Sequence, residues 1–158
     1  MSMTSAPLDD LNAFIVLAKA NTYVGGAAKS PSRRPGSHDI QFHAGAFSYI
    51  DSYFGGSDFL GQEVVYFRQQ PVWAMNYYGK IVHPHLISAA QAGQIIQASL
   101  SQMYKQGRFL GGFEYTVGES IYTDTSEGTV ASFTGQEWIT RQDKRVYHLI
   151  YHGGLVKD

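Results

Sequence analysis

A set of short motifs occurs twice in this chain. Tyr49 and Asp51 recur as Tyr122 and Asp124, and Gly61-Gln62-Glu63 recurs as Gly135-Gln136-Glu137. Trp73, Tyr77 and Gly79 find counterparts in Tyr147, Tyr151 and Gly153. Repetition of this kind predicts one supersecondary unit used twice. Each unit reads as a helix, a strand with a glycine pair and a run of three strands, over residues 8–81 and 86–156. The expected fold is therefore α+β: an internal duplication of a helix plus antiparallel-strand unit, its two copies packed about a pseudo-twofold axis. The sheets are expected to be either continuous or stacked face to face. At 158 residues the chain is long enough for a real core, and one domain over 1–158 is expected.

The elements follow from periodicity. Residues 1–7 read as a frayed lead-in. Leu11, Phe14, Ile15 and Ala18 form one apolar stripe, predicting a helix from near Leu8 to Asn21. A second helix is expected from Pro84 to Gln106, with Ile96, Leu100 and Met103 on its apolar side, Ile87 and Ala90 a few turns earlier, and Gly107 just past its end. The glycine pairs Gly25-Gly26 and Gly111-Gly112 follow the two helices. Strict alternation puts Phe47, Tyr49, Asp51 and Tyr53 on one face of a strand. It does the same for Trp73, Met75 and Tyr77, whose bulk predicts packing on a helix, with Asn76 and Tyr78 on the opposite face.

Composition narrows the chemistry. A formal net charge of −1 offers no field for nucleic acid or an acidic membrane surface. The absence of cysteine removes disulfides, thiol catalysis and thiolate metal sites. There is no phosphate loop, dinucleotide fingerprint or nucleophile elbow, so no cofactor is expected. The six histidines do not combine into a metal site: His148 and His152 lie on a predicted strand, where four residues span about 13 Å. No stretch has the length of a membrane span and no signal-peptide pattern opens the chain, so a cytoplasmic location is expected.

Three features remain as candidate sites. Glu63 and Glu137, or Asp51 and Asp124, would supply paired carboxylates if brought into one cleft, where acid–base work becomes feasible. The competing reading makes each Gly-Gln-Glu a turn whose glutamate binds backbone or an arginine. The first copy carries an insertion, lying near residues 27–42, that the second copy lacks; it reads as a loop with Arg33, Arg34, His38 and Asp39, where arginine binds carboxylate or phosphate and histidine changes charge near neutrality. Eleven tyrosines, nine phenylalanines and two tryptophans suit a pocket with apolar walls and hydroxyl tips. The same residues also suit an amphipathic core.

Gly36-Ser37-His38-Asp39, Tyr49-Ile50-Asp51-Ser52-Tyr53-Phe54-Gly55-Gly56, Gly61-Gln62-Glu63, Trp73-Ala74-Met75-Asn76-Tyr77 and Tyr151-His152-Gly153-Gly154 together resemble a bacterial family, domain of unknown function 5680. The resemblance covers nearly the whole chain after the lead-in and implies no established activity. Some members carry a helix-turn-helix ahead of this domain. The few residues before the first helix leave no room for one here, so a DNA-binding role is not implied.

The first reading is a ligand-binding or sensor-type domain for a small molecule. Its pocket is expected around Tyr49, Asp51, Glu63, Asn76 and Tyr78, closed by the loop bearing Arg34, His38 and Asp39. One alternative is a small hydrolase- or isomerase-like enzyme using His38 and Asp39 or paired carboxylates. The other is an interaction module that forms a homodimer through sheet edges.

Overall fold

The computed structural model describes residues 7–158. Most of the expected lead-in, residues 1–6, lies outside the described residues. In chain order the elements are α1 (Leu8–Ala20), β1 (His38–Ala44), β2 (Phe47–Gly55), β3 (Phe59–Phe67), β4 (Gln70–Ile81), α2 (Ala89–Tyr104), β5 (Phe113–Val117), β6 (Ser120–Thr129), β7 (Ser132–Arg141) and β8 (Lys144–Leu155).

All eight strands form one antiparallel sheet in the order β1-β2-β3-β4-β8-β7-β6-β5. This overturns the expected α+β duplication. The described residues do not form two helix-plus-strand units packed about a twofold axis; they form a single continuous sheet with two helices. The glycine pairs are not strands either. Gly25 and Gly26 lie in the turn after α1, and Gly111 and Gly112 precede β5 with φ of 99° and 81°. The stretch 27–42, expected as a loop, supplies most of the edge strand β1. The sequence repeats side chains that face the same space, and that alone does not require a repeated unit.

Helix α1 buries Leu11, Phe14, Ile15, Val16, Ala18 and Lys19. Its stripe lies against β1 and β2, where Phe14 stacks on Phe47 with ring centroids 4.8 Å apart. Helix α2 starts later than expected. Ser88 is its N-cap and forms a capping box with Gln91, their reciprocal hydrogen bonds measuring 3.1 and 3.0 Å. Pro84 instead belongs to a preceding turn closed by Leu86 N–H to His83 O. The buried side of α2 is Ala92, Ile95, Ile96, Ser99 and Met103, whereas Ala90 is exposed.

Two tight hairpins set the register on either side of the sheet's centre. The β3–β4 turn uses Arg68 and Gln69, with φ of 48° and 67°, and the β7–β8 turn uses Gln142 and Asp143, with φ of 53° and 58°. Positive φ at both central residues is the type I′ arrangement, whose twist matches that of the flanking strands. The centre of the sheet is the β4–β8 seam, where Tyr77 pairs with Tyr151 and Asn76 with His152. Trp73 is fully buried beside this seam; its indole N–H donates to Val130 O at 3.0 Å, and its ring stacks on Phe133.

The sheet has one covered and one open face. Tyr49, Asp51, Glu63, Met75, Tyr151, Glu137 and Asp124 all lie on the covered face. Neighbouring positions on the open face form a row, with Leu60, Tyr78 and Ile150 in register on β3, β4 and β8 and all well exposed. No helix among the described residues is long and apolar enough to cross a membrane.

Candidate functional site

A cavity of about 340 Å³ lies between the covered face of the sheet and the two helices. Four carboxylates reach it from the sheet: Asp51 on β2, Glu63 on β3, Asp124 on β6 and Glu137 on β7. All four residues are buried. Ile96 and Leu100 of α2, with Phe109 beyond it, form an apolar wall, and exposed Tyr23, Lys29 and Gly56 mark the rim.

Buried carboxylates need donors, because an uncompensated charge away from water is costly. Here tyrosines supply most of them. Tyr49 donates to Glu63 and Tyr122 to Glu137, both through very short contacts. Tyr77 donates to Asp51 Oδ1 at 2.5 Å, Tyr147 to Glu137 Oε1 at 2.9 Å and Tyr151 to Asp124 Oδ1 at 2.9 Å. Burial and the adjacent carboxylates push all five phenols above their ordinary range, so they stay protonated and donate.

One cation reaches into this cluster from α1. Lys19 Nζ is 2.9 and 3.0 Å from the two Glu63 oxygens, 3.3 Å from Met75 Sδ and 5.3 Å from the Phe109 ring centroid. Burial, then the Glu137 charge, pushes the Asp124 carboxyl up to about 7, against donation from Tyr151 and Tyr122. Burial and the Glu63 charge raise Asp51 in the same way. Burial also raises Glu137, opposed by Tyr122, Tyr147 and Lys19. These groups hold their protons closer to neutrality than free carboxyls do.

Glycines make the tyrosine contacts feasible. Gly61 pairs with Tyr77 across β3–β4, and Gly135 pairs with Tyr151 across β7–β8. A Cβ on Gly61 would lie 2.4 Å from the Tyr77 hydroxyl, and one on Gly135 would lie 2.2 Å from the Tyr151 ring. Each tyrosine lies across the glycine of the neighbouring strand to reach an aspartate one strand further away. The Gly-Gln-Glu motifs are therefore mid-strand and not turns, and their glutamates bind tyrosine and lysine, not backbone or arginine.

The expected site residues divide evenly. Tyr49, Asp51, Glu63 and His38 line the cavity, His38 at its rim with Nδ1 3.3 Å from Lys29 Nζ. Arg34, Asp39, Asn76 and Tyr78 do not. Arg34 hydrogen-bonds Ser52 Oγ at 2.9 Å and lies over the Phe54 ring on the other side of the sheet. Asp39 is fully buried under the turn before β1, accepting from Ser52 Oγ at 2.7 Å and from Arg33 N–H at 3.0 Å. As strand neighbours, His38 and Asp39 face opposite ways: His38 pairs with Tyr53 and Asp39 with Ser52. They form no dyad. Asn76 contacts Gln62 and His152 on the open face.

Lys19 is the contributor that the sequence reading passes over. It extends the α1 stripe by one position, four residues after Ile15, and a lysine at a core position is the signal of a buried partner. Tyr77, Tyr147 and Tyr151 appear there only as packing.

These features define a predominantly antiparallel β protein with a carboxylate- and tyrosine-lined cavity beneath two helices. The chain belongs to the family described as domain of unknown function (DUF5680), whose family model matches residues 51–156. The match spans all four cavity carboxylates but not Lys19, His38 or Tyr49. No curated protein and no solved structure matches the chain.

Proposed function

We propose that the protein binds a small organic molecule in the cavity between sheet and helices. The observation that carries this reading is the cavity itself: about 340 Å³ of space with one apolar wall and a set of polar groups held in place by one another. That volume falls within the ~300–1,000 Å³ typical of ligand pockets. A cluster serving only to stabilise the core would be filled more economically by packed apolar side chains.

Native mass spectrometry of freshly purified protein, together with thermal shifts across a metabolite panel, tests the proposal. A co-purifying small molecule, or a compound that raises Tm in the wild type but not in the cavity-filling variant Leu100→Trp, is the expected result. Absence of both would remove the proposal.

A second reading is favoured by one observation. Carboxyls held near neutrality beside an open cavity suit proton transfer on a bound molecule. It predicts chemical turnover of whatever compound binds, lost in Asp124→Asn.

A further inference from the structure

Among the described residues every fully enclosed side-chain polar atom has a hydrogen-bond partner, so acceptor capacity left over by the protein's own donors lies open to the cavity. Glu63 and Glu137 each have a donor on both oxygens: Lys19 and Tyr49 serve Glu63, and Tyr122 and Tyr147 serve Glu137. Asp51 has a donor on Oδ1 alone. Asp124 receives Tyr151 on Oδ1, and its Oδ2 meets only the Tyr122 hydroxyl at 3.5 Å. A phenol has one proton, and Tyr122 places it on Glu137 at much closer range. Two acidic side chains that are more than nine-tenths buried and line the cavity therefore each present an oxygen to it, without a protein donor on Asp51 and with only a long, shared one on Asp124.

Charge is unbalanced in the same sense. Four acidic side chains share the space with Lys19, which is already engaged by both oxygens of Glu63, while Lys29 stands at the rim beside His38 and Tyr53; burial without a cation of their own favours the protonated form of Asp51 and Asp124. A neutral ligand could supply hydrogen-bond donors but would leave the ionised form of Asp51 and Asp124 uncompensated; an anion would disfavour it further. A cation supplies both donors and charge. Tyr77, Tyr151 and Phe59 also line the cavity, and aromatic rings are favourable neighbours for an ammonium.

We infer that the molecule taken by this cavity is a small organic amine in its ammonium form. Its N–H groups fill the open acceptor positions on Asp51 and Asp124, and its hydrocarbon part lies against Ile96, Leu100 and Phe109. The inference rests on the ligand-binding reading above and names the chemical class that reading leaves open.

Calorimetric titration and thermal shift with two matched series test it: hexylamine, hexanol and hexanoate, and phenethylamine, phenethyl alcohol and hydrocinnamate, with calcium chloride as an inorganic control. The amines are expected to bind and raise Tm, and the matched alcohols and carboxylates are not. Asp51→Asn and Asp124→Asn, each close to isosteric, are expected to weaken amine binding roughly tenfold or more while unfolding cooperatively. Alcohols or carboxylates that bind as well as the amines would overturn the amine assignment and leave ligand binding standing. So would a response to calcium alone, or amine affinity unchanged in both variants. No binding by any series member, with no hit in the wider metabolite panel, would overturn both. The comparison within each series uses the wild-type protein, so it holds even if one variant fails to fold.

Discussion

Tyr77 reaches Asp51 by lying directly over Gly61. The phenol donates to Asp51 Oδ1 at 2.5 Å, and a Cβ on the glycine would stand 2.4 Å from the phenol oxygen. Gly61→Ala should therefore displace the tyrosine and strip the aspartate of its donor. A loss of about 1–3 kcal/mol is expected, as for other overpacked core positions. Gly56→Ala, where an added Cβ meets nothing within 4 Å, is the control. Urea unfolding of the two variants checks this; equal midpoints would show that Tyr77 relocates without loss.

Lys19→Met should be more damaging. It leaves Glu63 buried with only Tyr49 as a partner, and removing one member of a buried ion pair costs about 3–5 kcal/mol. The added variant Glu63→Gln should restore part of that loss. If the double variant is no better than Lys19→Met alone, the lysine matters for packing against Phe109 and Met75, not for its charge.

Stability should fall as pH rises through neutrality. Burial raises the carboxyls of Asp51, Asp124 and Glu137, so the folded protein binds protons more tightly than the unfolded chain. Their stabilising contribution is fully present below the ordinary carboxylate range and is lost as pH rises, for Asp124 through about 7. Asp39 acts in the opposite direction at lower pH. Burial would raise it, but donation from Ser52, Ser37 and the Arg33 N–H, with the Arg34 charge, outweighs burial and lowers it. Its contribution is present above the ordinary range and lost as pH falls through its folded value. Calorimetric Tm from about pH 5 to about pH 8 should decline, and Asp124→Asn should flatten the slope. A Tm that climbs over this interval would contradict the raised carboxyls.

The two hairpin turns offer a gain. Gln69 has a φ of 67°, and glutamine gains nothing from that region, whereas Asp143 at 58° is a type that tolerates it. Gln69→Gly should stabilise by up to about 1 kcal/mol, and Asp143→Gly by less. Denaturant midpoints with unchanged m-values would register this.

The helices and the covered strand faces were legible because burial imposes a period. The α1 stripe and the alternation of Tyr49, Asp51 and Tyr53 both lie as that period requires. The same alternation placed Asn76 and Tyr78 away from Tyr77, so including them in the pocket contradicted the strand's own period. Other features could not be read locally. One sheet or two depends on whether β4 meets β8, a pairing between residues such as Asn76 and His152 that no local pattern encodes. Lys19 resembled an ordinary last-turn lysine until its partner on β3 was visible. The repeated motifs described which side chains surround the cavity, and they misled when taken as a plan of the architecture.

Strand order also sets a timetable. β1 to β4 pair as consecutive neighbours, as do β5 to β8, and each run can zip up through local contacts as it is synthesised, leaving β4–β8 as the long-range pairing. β8 is the last strand to emerge, and it takes a central place between β4 and β7. Before β4 and β8 pair, the carboxylates of Asp51 and Glu63 and those of Asp124 and Glu137 would lie on separate ribbons with bare edges. Closing the sheet brings together residues far apart in sequence, the slow kind of folding step. Exposed strand edges in such a state would invite pairing with another copy.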